Sequence, residues 1–145
     1  MQALYQWEIA GSGASEIEAE FLAERLPEVG GNVDRPYFQW LLRTTLSTYE
    51  RLDELYAPWL DRPPERLDPV ERAILRLAVL ELSARVEIPL RVVLDEAIEL
   101  AKLFGAEQSH RYVNGVLDRA ARELRAPPPV TTDEDEQTTG GALKR

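Results

Sequence analysis

The sequence predicts an all-α fold, a compact bundle of about six or seven helices. Three observations carry this. Apolar residues recur at i, i+3, i+4 and i+7 in several separate stretches, the spacing that gathers side chains on one face of a helix. Helix start and stop signals punctuate those stretches, with proline at their beginnings or just beyond their ends. No window alternates apolar and polar residues between turn signals, as a half-buried strand would.

Taken in order, Leu4, Trp7 and Glu8 open a short helix that stops at Gly11-Ser12-Gly13. Ser15 is placed to cap the next helix, and Glu18 three residues later completes a capping box. Ile17, Phe21, Leu22 and Leu26 supply its apolar face, and Pro27 with Gly30-Gly31 ends it. Asp34 followed by Pro36 marks a third start. From there Phe38, Leu41, Leu42, Thr45, Tyr49, Leu52 and Tyr56 form a stripe that ends before Pro58. Asp61-Arg62-Pro63-Pro64 reads as a linker, because proline blocks helix propagation. Asp68-Pro69 repeats the start signal, an N-cap aspartate and then proline in the first turn. Ala73 to Leu82 is apolar apart from Arg76 and Glu81, so residues 69–85 are expected to form the central helix, surrounded by the others.

Beyond Pro89 two helices follow, joined by a tight corner. Leu94, Ala97, Ile98 and Ala101 mark the buried face of the first, and Val113, Val116, Leu117, Ala120, Ala121 and Leu124 that of the second. Gly105 sits where the first must end and is expected to take the left-handed conformation of a helix stop. Phe104, Gln108, Arg111 and Tyr112 at this corner are not needed for the periodic core. Two aromatics, an amide and a guanidinium can stack on bases and grip a phosphate. The alternative is that both aromatics seal the ends of the core. Spacing by itself favours that alternative, because periodicity mostly reports packing. Arg125 ends the last periodic stretch, so residues 1–125 are expected to form one helical domain. Residues 126–145, polar, rich in proline and glycine and acidic at Asp133 to Glu136, are expected to be a disordered acidic tail.

Composition narrows the class. A chain of 145 residues with 44% hydrophobic side chains can bury a core. It has no cysteine, hence no disulfide framework and no thiolate metal site. No apolar run approaches the roughly 20 residues a membrane helix needs, and the start lacks the basic-then-apolar order of a signal peptide, so a cytoplasmic protein is expected. The net charge of −9 opposes phosphate overall. It is unevenly spread: residues 1–30 carry six Glu against one Arg, whereas residues 90–125 carry six acids and six bases. If any surface meets RNA, the C-terminal third is therefore the least unfavourable place.

Catalysis has little support. Glu107 and His110 make the Glu-x-x-His spacing of di-iron bundles, but such sites need a second motif and further glutamates, and His110 is the sole histidine. Ser109 beside His110 has no partners for a triad. Asp95, Glu96 and Glu99 read as a solvated face, and no phosphate-binding glycine loop occurs. No metal and no cofactor is expected, and the chain is not expected to be an enzyme.

Three blocks carry a resemblance: ALYQWE near the start, LDPVERAILRLAVLEL in the middle, and DEAIELAKLFGAEQSHRYVNGVLDRAARELR at the end. They resemble the bacterial transcription antitermination factor NusB family over about residues 2–125. The last block is the most specific, because VLDEAIELAKLFG followed by SHRYVNGVLD is hard to match by chance. The resemblance implies two small three-helix groups packed together. It implies binding to the boxA element of ribosomal-operon leader RNA, with the ribosomal small-subunit protein that doubles as NusE. It also implies a place in the RNA polymerase complex that reads through terminators. The family's RNA surface falls on Tyr5, Phe104, Gln108, Arg111 and Tyr112, and its partner surface on Tyr5, Glu65 and Glu71. Two departures stand out. Met1-Gln2 takes the place of an arginine-rich segment, which implies either a different native start or weaker RNA binding. Gln108 stands where the pattern often has aspartate, which removes a negative charge from the phosphate path. The family includes monomers and homodimers. Two other readings are an accessory related to the NusB-like domain of ribosomal RNA cytosine methyltransferases, and a protein-interaction bundle that does not touch RNA.

Overall fold

In the computed structural model, the structure describes residues 1–11, 13, 17–19 and 34–125. Five α-helices are complete within them: α1 (Gln2–Ala10), α2 (Arg35–Tyr56), α3 (Pro69–Ala84), α4 (Leu90–Phe104) and α5 (Ser109–Leu124). Residues 17–19 are also helical, and the α2–α3 connection contains two 3-10 turns, Ala57–Trp59 and Pro64–Arg66. Among the described residues there is no strand, and no helix is long and apolar enough to cross a membrane. The fold is all-α. The Ser15 cap, the apolar positions Phe21, Leu22 and Leu26, the Gly30-Gly31 stop and the tail 126–145 lie outside the described residues.

Helix α3 is the axis. Ala73 through Leu80 are buried without interruption, and Leu82 adds a further turn, which requires neighbours on every side. It joins two cores. The smaller gathers Ala3 and Leu4 of α1, Ile17, Leu42 of α2, and Ala73 and Leu77 of α3. The larger gathers Leu52 and Tyr56 of α2, Ile74, Leu75, Val79 and Leu82 of α3, Val93, Ala97 and Ala101 of α4, and Val113, Val116, Leu117, Ala120 and Ala121 of α5. Truncating a fully buried leucine here, such as Leu82 to Ala, should cost about 2–5 kcal/mol.

The α2 start follows the sequence signal: the Asp34 carboxylate accepts the Tyr37 N–H at 3.0 Å. Within α2 the backbone kinks at Thr48 (φ −131°), where the Thr48 hydroxyl donates to the Thr44 carbonyl at 2.6 Å and competes with the helix ladder. The expected Asp68 cap is corrected. Asp68 occupies the N-cap position of α3, but its side chain makes no capping bond; its backbone carbonyl accepts the Arg72 N–H at 2.9 Å. The buried face of α4 is also rotated from the expected one, running through Val93, Ala97 and Ala101 with Leu94 and Ile98 half-buried at its edge. Packing against both α3 and α5 selects the narrow line of small residues that lets three helices approach. Arg125 closes the bundle: its guanidinium donates to the carbonyls of Glu81, Leu82, Arg85 and Ile88, in the last turn of α3 and just past it.

Candidate nucleic-acid interface

The site is built on the corner between α4 and α5. Gly105, which ends α4, has φ −91° and ψ 176°, an extended conformation, so the expected left-handed stop is corrected. Glycine is required there by proximity. A Cβ would lie 2.8 Å from the Ala101 carbonyl oxygen and 2.8 Å from Ser109 Cβ. The Ser109 hydroxyl accepts the Ala106 N–H at 3.1 Å and donates to Glu71 Oε2 at 2.7 Å, which ties the start of α5 to the first turn of α3. The tight corner pushes the larger side chains outward. Phe104 is 43% exposed, Gln108 and Arg111 are exposed, and Tyr112 is half-buried against the larger core.

Two grooves flank this corner, and they divide the sequence-predicted residues. Tyr5 and Phe104 line the first, of about 490 Å³, together with Ile9 and Val70. No ionisable side chain but that of Tyr5 lines it, so beside the amides of Gln2 and Gln6 it offers apolar and aromatic surface and no charged side chain for phosphate. Arg111 and Tyr112 line the second, of about 510 Å³, with Trp59, Asp61, Arg119 and Arg122. Gln108 lines neither; it sits at the N-cap of α5 between them without a side-chain capping bond.

The second groove is locally cationic. Arg122 pairs with Asp118 at 2.7 Å on the exposed surface, where screening leaves little net attraction. Among the described residues neither Arg111 nor Arg119 has an ion-pair partner. Tyr112 is held in place by the α2–α3 connection. Its hydroxyl donates to Asp61 Oδ1 at 2.9 Å, and the Arg62 guanidinium lies 4.8 Å from its ring centroid. Arg62 in turn donates to Asp61 at 2.6 Å. Hydrogen bonds from Arg62 first and Tyr112 second pull the Asp61 pKa down to about 2. Asp61, and more weakly the Glu71 charge, hold the Arg62 guanidinium above its usual range. The stretch 61–64, read from sequence as linker alone, thus contributes Asp61 to the groove wall and Arg62 to the ring of Tyr112. Proline and isolated charges give no periodic signal, so only contact with Tyr112 reveals them.

The partner residues are not gathered in one place. Tyr5 lies in the neutral groove. Glu65 is exposed on a third groove of about 890 Å³, between α1 and α2, with Trp7, Glu8, Tyr49, Asp53 and Arg76. Glu71 is only 9% exposed, so its expected role as an exposed acid on the surface is corrected: its carboxylate is occupied by Ser109. Asp95, Glu96 and Glu99 are exposed on α4. Among the described residues no three His, Cys, Asp or Glu side chains are grouped to hold a metal ion.

The model of the NusB family matches residues 1–122. The chain belongs to the NusB family. It is 54% identical over 125 residues to the transcription antitermination protein NusB of Alcanivorax borkumensis, covering 86% of this chain and 81% of that protein. It is 52% identical over 126 residues to the NusB of Nitrosococcus oceani, covering 87% and 82%. Among solved structures it resembles T. maritima NusB with a TM-score of 0.74 and 32% identity, over 92% of this chain and 90% of the other. It also resembles a crystal structure of the antitermination factors NusB and NusE in complex with dsRNA, with a TM-score of 0.73 and 29% identity, over 83% and 89%. Family membership and the corner geometry concern the same stretch: α4, Gly105 and α5 lie almost wholly inside the matched residues.

Proposed function

We propose that this NusB-family chain is a transcription antitermination factor that binds boxA RNA of ribosomal-operon leaders together with the ribosomal small-subunit protein NusE. In this reading it acts in the cytoplasm within the antitermination complex of RNA polymerase. The groove of Arg111, Arg119 and Tyr112 takes the RNA: the guanidiniums meet phosphate and the tyrosine ring meets a base. The neutral groove of Tyr5, Val70 and Phe104 takes the protein partner, whose apolar side chains fill it. This shifts Phe104 from RNA contact to partner contact, because no charged side chain lines its groove.

The observation that supports the reading best is the pair of arginines without ion-pair partners among the described residues, beside an anchored tyrosine, in a chain whose net charge is −9. An acidic protein that leaves two cations open in one groove has a local phosphate site against an unfavourable background. A basic partner would offset that background, so RNA binding is weak alone and stronger with NusE. Titration of labelled boxA RNA at two salt concentrations, with and without NusE, tests this. Equal affinity in both cases removes the cooperative reading, and absence of binding in both favours a protein-interaction bundle instead.

A further inference from the structure

One buried bond lies between the two grooves. Glu71 and Ser109, 9% and 2% exposed, meet at 2.7 Å across α3 and α5. We propose that this pair is a latch that positions the α4–α5 corner, making Glu71 a positioning residue for RNA binding that does not itself touch RNA. The proposal rests on the antitermination reading above.

A carboxylate withdrawn from water is costly unless it is hydrogen-bonded, and Glu71 has the Ser109 hydroxyl as its donor. The same hydroxyl accepts the Ala106 N–H, so one side chain uses both donor and acceptor on the corner. Gly105 permits this closeness, since any side chain there would collide with Ser109. The latch therefore sets the position of the first turn of α5, and that turn carries Gln108, Arg111 and Tyr112 around Ser109. Its other end adjoins Val70, which lines the neutral groove with Tyr5 and Phe104. A partner seated in that groove presses on the residue next to Glu71, while RNA meets residues two and three positions beyond Ser109. The bond joins the helix that carries Val70 to the helix that carries Arg111 and Tyr112.

The test uses the full chain and labelled boxA RNA, without partner, at two salt concentrations. Ser109→Ala should weaken RNA binding about 3- to 20-fold, the range expected when a coupling contact rather than a ligand contact is lost. The salt slope should not change, because no phosphate contact is removed. Glu71→Gln keeps an oxygen that accepts the hydroxyl proton and should lose less than Glu71→Ala. The Ser109→Ala, Glu71→Gln double variant should bind no worse than Ser109→Ala alone. Leu42→Ala, in the smaller core, is the control: it lowers thermal stability and leaves the affinity of the folded protein unchanged. Wild-type affinity in folded Ser109→Ala, additive losses in the double variant, or an equal loss in Leu42→Ala each overturn the latch alone. A wild-type chain that binds no boxA RNA, with or without NusE, overturns the functional reading and the latch with it.

Discussion

Arg76 and Arg111 are the same residue in two settings. Arg76, on the central helix, is 4% exposed; it donates to Asp53 through Nε and Nη2 at 2.9 and 2.8 Å and to Glu8 at 3.2 Å, and it lies over the Tyr49 ring. Arg72, one turn earlier, also pairs with Glu8, and the Tyr56 hydroxyl completes the network on Asp53 at 2.6 Å. Burial, ahead of the bond to Asp53, pushes the Tyr56 pKa far above its usual value, so this phenol stays neutral. Arg111 is exposed on α5 and without an ion-pair partner among the described residues. The difference separates holding a fold from holding a ligand. Where burial removes water, each charge must find an opposite charge or a hydrogen-bond donor inside the molecule. Where water remains, a cation can wait for a phosphate.

Breaking the buried side should have the largest effect. Arg76→Ala leaves Asp53 with the Tyr56 hydroxyl but without its cation, removes one partner of Glu8, and should cost about 3–5 kcal/mol of stability. Chemical denaturation measures that loss, and boxA affinity of the folded fraction should stay at wild type. A stable Arg76→Ala protein would mean that the network is not structural.

Glu71→Lys follows. Because Glu71 is buried on Ser109, charge reversal should cost about 1–3 kcal/mol of stability from the stranded hydroxyl and the buried ammonium. An unaltered melting curve would show that the side chain escapes to solvent at no cost.

On the open side, Tyr112→Ala should cost about 1–3 kcal/mol of RNA affinity with little change in salt slope. Arg111→Ala should reduce the salt slope by about one unit. RNA titration across salt separates the two. If Tyr112→Ala instead lowers stability and leaves the affinity of the folded protein unchanged, Tyr112 is a seal of the larger core, which it does touch.

The smallest effect concerns the clamp on Tyr112. Asp61 has its pKa lowered from 3.8 to about 2, chiefly by Arg62. A carboxylate depressed in the folded state contributes stability that is complete above its unfolded value and lost as pH falls through the folded one. The Asp61–Tyr112 link should therefore persist at pH 4 and fail near pH 2. Carboxyl NMR titration reads this directly, and in Arg62→Ala the Asp61 midpoint should return toward the ordinary range. A midpoint unchanged by that substitution would assign the depression to Tyr112.

What sequence could report was whatever repeats along one chain. The stripe from Phe38 to Tyr56, the nearly all-apolar run of α3 and the spacing of Val113, Val116, Leu117, Ala120 and Ala121 follow from helical periodicity, which is local geometry. The all-α class and the central place of α3 were legible for that reason, and the NusB family was legible in the three motif blocks. Tertiary structure decided which polar residues are spent inside the molecule. Glu71 looked like a surface acid until α5 placed Ser109 against it, and Arg62 looked like linker until Tyr112 lay beneath it. Gly105 looked like a conformational stop and is instead a close contact. Each depends on a neighbour distant in sequence, or on a backbone approach that spacing does not encode. Hydrogen bonds and charges act over a few ångströms in space, and only the packed chain sets those distances.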